Sequence, residues 1–487
     1  MNDKRSSEIN SNNILVLELT ATENKYEFAQ SISSALSRAE GELLEIDERI
    51  AETEKTLKEL TPECDKMDYV LSASSGALCG IIDIFLVGKP GESPVGDITD
   101  KWFANRTKDF AKFCKWDNSR DDSLKSAIKY LEKKFKIPYD QSVGGSIFRD
   151  LINLTPNNHH FKSLGHNPTL LGLFFSILNQ FTNTSSFVSE GELITLNNSD
   201  GHFELEGHDI PSELFCGFVN WFGHLISDIS GSFGSKGRGM GIPSPIWSWT
   251  NDIITIKRKI GIPASEFDKT INNLALEIYK KGYDTRFQVA QAIPVLINEM
   301  MVRIIYSIRR AIHYFSVTQK ENRSFKLLWK MCEPFSNATV KRMLTVAHGT
   351  FCLVDIGDAT IHGFVTGGGS FNAVEFFMRL NIIGVGRFAF SLYGEVSRGV
   401  KSSDASETIY FLKREKIIIN DYIDGLLYLS EMYDDKLLLK FTEDLRTSDL
   451  YVQAFDKSVK LAEQRKVPSE KILRTKRDID NYFRRGD

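Results

Sequence analysis

The sequence predicts an all-α fold, a helical membrane protein with an N-terminal coiled-coil helix and a soluble helical tail. Three observations carry this reading: a heptad seam over residues 32–60, a twenty-residue apolar stretch at 69–88, and a lysine-rich helical segment beyond residue 400. In the seam, Ile32, Leu36, Ala39, Leu43, Ile46, Ile50, Thr53, Leu57 and Leu60 alternate spacings of four and three, and Glu42, Asp47, Glu48, Arg49 and Glu54 stand around them. One apolar seam needs a partner, either a second copy of the chain or another helix of the same one, and homo-oligomerisation is expected through it. Pro62 closes the stretch.

Residues 69–88 read YVLSASSGALCGIIDIFLVG. Twenty helical residues span roughly 30 Å, the thickness of a bilayer core. Asp83 is the one charge, and Ser72, Gly76 and Gly80 recur four apart, a smooth face for a second helix. Residues 89–150 form a charged, soluble insert with an amphipathic helix over 121–135. Apolar segments return at 168–181, 214–229, 289–308 and 344–365, each interrupted by polar groups that suit a bundle interior better than lipid. Pro168 is expected at the first helical position of its segment with Asn167 as the cap. Glu299 and Arg303 are spaced as an intrahelical ion pair. Arg309, Arg310, Lys320 and Arg323 mark the end of the 289–308 segment as cytoplasmic by the positive-inside rule. Three segments follow: 1–66, an amphipathic coiled-coil helix; 67–395, a membrane-associated helical core with the insert near 89–150; and 396–487, a charged cytoplasmic tail.

The chain has 487 residues, more than one ordinary domain holds. Lys and Arg total 60 against 64 Asp and Glu, which argues against a general nucleic-acid coat, and no specific nucleic-acid partner is expected. The six cysteines are scattered with no C-x-x-C pair, which excludes a zinc ribbon and a disulfide-dense scaffold. The polar opening MNDKRSSEINSNN lacks the apolar run of a cleavable signal.

Three polar clusters sit in or beside apolar segments: Asp83; His159, His160, Ser163 and His166 in the lead-in to an apolar helix; and His224 with Asp228, four apart on one helical face. Neutral imidazoles with a carboxylate, converging from separate helices, suit a divalent metal, zinc or manganese, with one position left for water. Separate hydrogen-bonded histidines and a packing role for Asp83 are the alternative. The loop SGSFGSKGRGMG offers backbone amides, Lys236 and Arg238 to a phosphate or lipid headgroup. A fourth cluster, His348, Asp355, Asp358 and His362, puts its last three members on one helical face, as a second half of a metal site or as a polar lining.

The order of these pieces resembles the bacterial inner-membrane, predicted metal-dependent hydrolases of the LexA-regulated type over about residues 70–240. The matching pieces are the small-residue helix Gly76–Asp83, the loop His160…Ser163…His166, and Phe222-Gly-His-Leu-Ile-Ser-Asp228. Ile82 stands where the family has Pro, and Phe161 where it has Arg. The resemblance implies a hydrolase in the bacterial inner membrane, acting on a lipid or phosphate ester, with Asp83, His166, His224 and Asp228 catalytic and His160 joining them on the metal. The other function that the pattern allows is an oligomeric channel-like or membrane-perturbing effector in bacterial antiviral defence, and a soluble helical scaffold follows if 69–88 is a core helix. Membrane lipid is the expected partner.

Overall fold

The computed structural model describes residues 25–137, 152–155, 157–197, 207–231, 240–431 and 450–484. The chain divides into two compact units, one of residues 1–58 with 401–487 and one of residues 59–400. Most of the first and third segments drawn from the sequence, up to residue 58 and from residue 401, thus falls in one unit, while residues 59–66 and 396–400 belong to the other.

In the first unit, helix α1 (Lys25–Leu60) runs without interruption through the predicted seam. Ile32, Ala39, Ile46 and Ile50 are buried, and the intervening charged positions face outward. The charged sequence explains the geometry: only the a and d positions carry enough apolar area to bury. The partner is in the same chain. Ile46 and Ile50 pack with Leu412 and Ile419 of the long helix Ile382–Glu431. Glu54 receives Lys413 Nζ at 2.8 Å and Asp47 receives Lys416 Nζ at 2.5 Å, so the two helices run antiparallel.

The second unit begins with α2 (Lys66–Ile82), which ends in a wider π turn over Asp83–Val87. Asp65 caps it, with Asp68 returning the bond to complete a capping box. After α2 come α3 (Pro94–Phe113), α4 (Leu124–Lys134), a single turn α5 (His159–Lys162) and α6 (Leu170–Thr182). Helix α6 starts later than expected. Its cap is Thr169, whose Oγ1 accepts from Gly172 N at 3.0 Å, and Pro168 lies outside the helix.

A feature absent from the sequence reading follows, the hairpin of β1 (Thr184–Ser189) and β2 (Glu192–Asn197). Its two-residue turn, Glu190-Gly191, has positive φ at both positions (54° and 81°), which matches the right-handed twist of the strands. Then come α7 (Ile210–Asp228), α8 (Pro245–Lys259), α9 (Glu266–Lys280), α10 (Thr285–Val317), α11 (Phe325–Cys332), α12 (Ala338–Thr366), α13 (Ala373–Arg379) and α14 (Ile382–Glu431). Helices α15 (Leu450–Gln464) and α16 (Lys476–Arg484) end the described chain. The protein is therefore mostly helical, as the all-α expectation has it.

Helices α2, α10 and α12 form the centre of this unit. The small-residue face of α2 meets α12 backbone to backbone: a Cβ at residue 76 would lie 2.0 Å from Ala347 O, and one at residue 80 would lie 2.9 Å from Val354 Cβ. Only glycine permits that approach. Helix α10 runs antiparallel to α2. Ser75 Oγ donates to Asn298 Oδ1 at 2.8 Å in mid-bundle, and Arg310 Nη2 reaches the buried Asp68 at 2.9 Å where α2 starts. Arg309 also bonds Asp68 and reaches Asp65 at 2.8 Å. The predicted Glu299–Arg303 pair is present, and Arg387 also bonds Glu299. A second core gathers Phe161, Trp247, Tyr279, Tyr283 and Phe287 between α5, α8, α9 and α10.

Two helical stretches, Lys66–Val87 and Thr285–Val317, are long and apolar enough to cross a membrane. Their outward faces carry Val70, Leu78, Ile81, Phe85, Leu296, Met300, Ile304 and Ile308.

Two predictions follow from this packing. Gly76→Ala forces α2 and α12 apart and should cost about 1–3 kcal/mol or more, whereas Gly357→Ala on α12, where nothing lies within 4 Å, should be neutral or stabilising by up to about 1 kcal/mol. Thermal unfolding of the two variants side by side checks this contrast. Leu412→Asp should release α1 from its partner and expose the α1 segment to limited proteolysis, which mass spectrometry of the fragments would reveal.

Candidate metal centre

Four side chains from three short stretches meet in one buried place. His160 stands on the single turn α5, His166 ends a 3₁₀ turn over Leu164–His166, and His224 and Asp228 lie on the last turns of α7. All four are at least nine-tenths buried.

Local sequence explains how these stretches are held. Lys162 turns inward and donates to Ile152 O at 2.7 Å and to Ser189 Oγ at 3.1 Å, which ties α5 to β1. Buried lysine is tolerated because carbonyl and hydroxyl oxygens surround its ammonium. Asn158 clamps the entry: its Oδ1 accepts from Thr155 N at 2.7 Å and its Nδ2 donates to Asn153 O at 2.8 Å. On α7, Gly223 leaves room for the ring of Phe135. A Cβ there would lie 2.3 Å from Phe135 Cγ. The ring's seat brings the Phe135 carbonyl to His224 Nδ1 at 3.2 Å.

The imidazoles converge on one carboxylate oxygen. Asp228 Oδ2 lies 3.2 Å from His224 Nε2, 3.5 Å from His166 Nε2 and 3.6 Å from His160 Nε2. His224 Nε2 is also 3.2 Å from His166 Nε2. Ser227 Oγ donates to the other carboxylate oxygen at 3.0 Å. His160, His166 and Asp228 form a set whose ligand atoms all lie within 4.8 Å of one another. His224 adds a fourth nitrogen beside it.

These separations bear on whether a metal fits. Tetrahedral bonds of about 2.0–2.1 Å put neighbouring ligand atoms about 3.4 Å apart. The three contacts to Asp228 straddle that value. Tautomers agree. A carbonyl only accepts, so Phe135 O requires the proton on His224 Nδ1, and Gly241 O, 3.5 Å from His160 Nδ1, asks the same of that ring. In the neutral rings each Nε2 then turns a lone pair toward the carboxylate. Lone pairs facing a carboxylate repel unless a proton or a cation stands between them, and backbone carbonyls behind ligating imidazoles are the usual support of a metal site.

Without a metal a proton fills part of that role. For His224, burial favours the neutral ring, but the Asp228 carboxylate outweighs it and raises the pKa above the ordinary histidine value. For His166, burial and the neighbouring His160 and His224 rings hold the pKa well below that value. For Asp228, burial alone would raise the pKa, but the imidazoles, His224 first, bring it below the usual carboxylate range. The three directions agree in making His224 and Asp228, 3.2 Å apart, the most favourable charge pairing of the cluster.

The sequence placed His160, His166, His224 and Asp228 in this centre, and the structure brings them together. Asp83 lies elsewhere. Its carboxylate accepts from Asn381 Nδ2 at 2.6 Å, and Asn381 N donates to Asp355 Oδ2 at 2.9 Å. Among the described residues no histidine comes within ion-pair distance of it. The physical reason is that Asp83 opens the π turn of α2, beside α12 and the start of α14, whose Asn381 supplies the donor that a buried carboxylate needs. Asp355 shares that place. Asp358 pairs instead with Arg379 at 3.3 Å and His362 at 3.5 Å, and His348 faces Glu299 at 3.6 Å. The fourth cluster therefore forms no second half of the histidine site. Lys236 and Arg238 lie outside the described residues. The supporting carbonyls of Phe135 and Gly241 were missed, and only the glycine before His224 hinted at the first.

No family of known proteins, no curated protein and no solved structure matches this chain. The reading of the centre rests on its geometry.

Asp228 touches all three imidazoles, so Asp228→Asn should weaken zinc or manganese binding by at least about tenfold, as loss of a charged ligand predicts. Equilibrium competition against a chromophoric chelator measures it. Because ligands must shed protons, metal occupancy of the wild type should fall as pH is lowered through the histidine range.

Proposed function

We propose that this chain is a membrane-embedded, metal-dependent hydrolase acting on a lipid or phosphate ester. The observation that supports it best is the convergence of His160, His166 and His224 on Asp228 Oδ2 within 3.6 Å, in a place buried from solvent. His160, His166 and Asp228 would hold zinc or manganese. A divalent ion held there would supply Lewis-acid chemistry, activating water near neutral pH and polarising an ester. His224 has a separate part. Its Nδ1–H is held by Phe135 O, which leaves Nε2 facing the same place and able to take a proton from water and return it to a leaving group. Asp228, four residues on along the helix, stabilises that imidazole when it is charged. The exclusion of bulk water strengthens each of these interactions.

Support for the membrane comes from where the apolar surface lies. In the window that qualifies each candidate span, 39% of residues are buried, and exposed apolar side chains line each helix. A soluble core helix would bury more of it. Ile210, Leu214, Phe215, Phe218 and Phe222 on α7, and Trp249, Ile253 and Ile256 on α8, extend the exposed apolar surface. The end where Arg309 and Arg310 meet Asp65 and Asp68 would face the cytoplasm of a bacterial inner membrane.

One observation favours the effector reading instead: Asp83, Asp355 and His348 are buried among the apolar helices α2 and α12, as a polar path would require. Metal content decides between the two. Protein purified in detergent at neutral pH without chelators should carry about one zinc or manganese per chain by mass spectrometry. Its absence after metal is supplied would set aside the hydrolase and leave the effector.

A further inference from the structure

One hydrogen-bond strut runs from the start of α10 to His160. Asp284 is the N-cap of α10, and its two oxygens divide their work. Oδ1 caps the helix, accepting from Arg286 N at 2.9 Å and Phe287 N at 3.2 Å. Oδ2 accepts from Gly241 N at 3.1 Å and from the Arg286 guanidinium, whose Nε lies at 2.9 Å and Nη2 at 2.5 Å. The carbonyl of the same glycine accepts Tyr279 Oη at 2.6 Å and faces His160 Nδ1 at 3.5 Å. Gly241 has no room to move. A Cβ there would lie 2.8 Å from both Asp284 Oδ2 and Ile229 O. The next residues are pinned as well, since Thr285 N donates to Ile242 O at 3.1 Å and Thr285 Oγ1 to Pro243 O at 2.8 Å.

We propose that Asp284, acting through the Gly241 peptide, is a positioning residue that holds the His160 ring as the Nδ1–H tautomer with Nε2 turned to the metal. The inference rests on the metal reading of the histidine cluster. A helix cap needs one carboxylate oxygen. The second is spent on a backbone N–H that belongs to no helix, and the carbonyl of the same residue, Gly241, is what orients the ring. Arg286 keeps the carboxylate in place and donates through Nη1 to Ser230 O at 3.0 Å, two residues beyond Asp228. The strut therefore grips two of the three ligand-bearing stretches, those of His160 and Asp228. Supports behind metal-ligating histidines set ring orientation and tautomer, and removing one typically costs about 10–100-fold in metal affinity.

Asp284→Asn separates the two duties. Asparagine still caps a helix through its oxygen, but its amide nitrogen cannot accept from Gly241 N. The full-length protein in detergent should keep its helix content by circular dichroism and bind zinc about 10–100-fold more weakly than wild type in chelator competition. Tyr279→Phe, which removes the hydroxyl from the Gly241 carbonyl and leaves the cap untouched, should weaken zinc in the same direction, and it serves if the Asn variant does not fold. Nitrogen-15 NMR of histidine-labelled, metal-free protein should show His160 as the Nδ1–H tautomer in wild type and a tautomer mixture in Asp284→Asn. Unchanged zinc affinity in folded variants of a zinc-binding wild type overturns the positioning role and leaves the metal reading standing. A wild type that binds neither zinc nor manganese overturns the metal reading, and the tautomer comparison then decides whether the strut holds the ring: an unchanged His160 tautomer in the Asn variant sinks it.

Discussion

The larger unit depends on one close approach, the backbone of α2 against the backbone of α12. Ala347 O lies where a side chain at position 76 would begin. That contact sets the spacing of the two helices, and α10 fills the remaining side through Ser75, Asn298 and the arginines at Asp68. With the helices this close, small residues of α2 form the contact, Gly76 against Ala347 and Gly80 against Val354 of α12. Packing and polar contacts, rather than the hydrophobic effect alone, hold such an interface, which is how helices associate in lipid. Asn381 completes the arrangement. Its amide nitrogen donates to Asp83 and, at 2.9 Å, to Gln291 O three residues before Pro294, which lies inside α10, and its oxygen accepts from Gly384 N. One buried side chain thus joins α2, α10 and the start of α14, and its backbone amide adds α12.

The histidine centre is held by different means. None of its ligands lies on α2, α10 or α12. Two of its four members sit on single turns too short to be stable alone, and these turns are fixed by Lys162, Asn158 and the hairpin β1–β2. Phe161, next to His160 in sequence, packs into a core with Tyr279 and Phe287, which anchors a stretch with little regular structure of its own.

Periodicity carried most of what the sequence disclosed. The seam of α1, the small-residue face of α2 and the i, i+4 pair His224–Asp228 are all local patterns, and each appears as read. What local pattern cannot hold is the identity of a partner far along the chain. Asp83 reads as a lone acid in an apolar helix and invites a metal, but its donor is Asn381, 298 residues away. The carbonyls behind His224 and His160 belong to Phe135 and Gly241, and a backbone carbonyl has no residue type by which to recognise it. The hairpin escaped notice because its strands TSSFVS and ELITLN lack a clean polar–apolar alternation and its turn is Glu-Gly rather than the usual Asn-Gly or Asp-Gly.

The pairing of α1 with α14 has a consequence for how the chain is made. Glu54 and Lys413 stand 359 residues apart in sequence yet touch in the folded unit. During synthesis α1 emerges long before α14. At roughly 5–20 residues per second, about 20–70 seconds pass with the Ile46–Ile50 face bare. A bare heptad seam on a nascent chain is a surface for chaperones, and on a polysome it meets identical seams on neighbouring nascent chains. The acidic positions flanking it repel such like-with-like pairing, so the same charges that later bind Lys413 and Lys416 keep α1 apart from its copies until its own partner arrives.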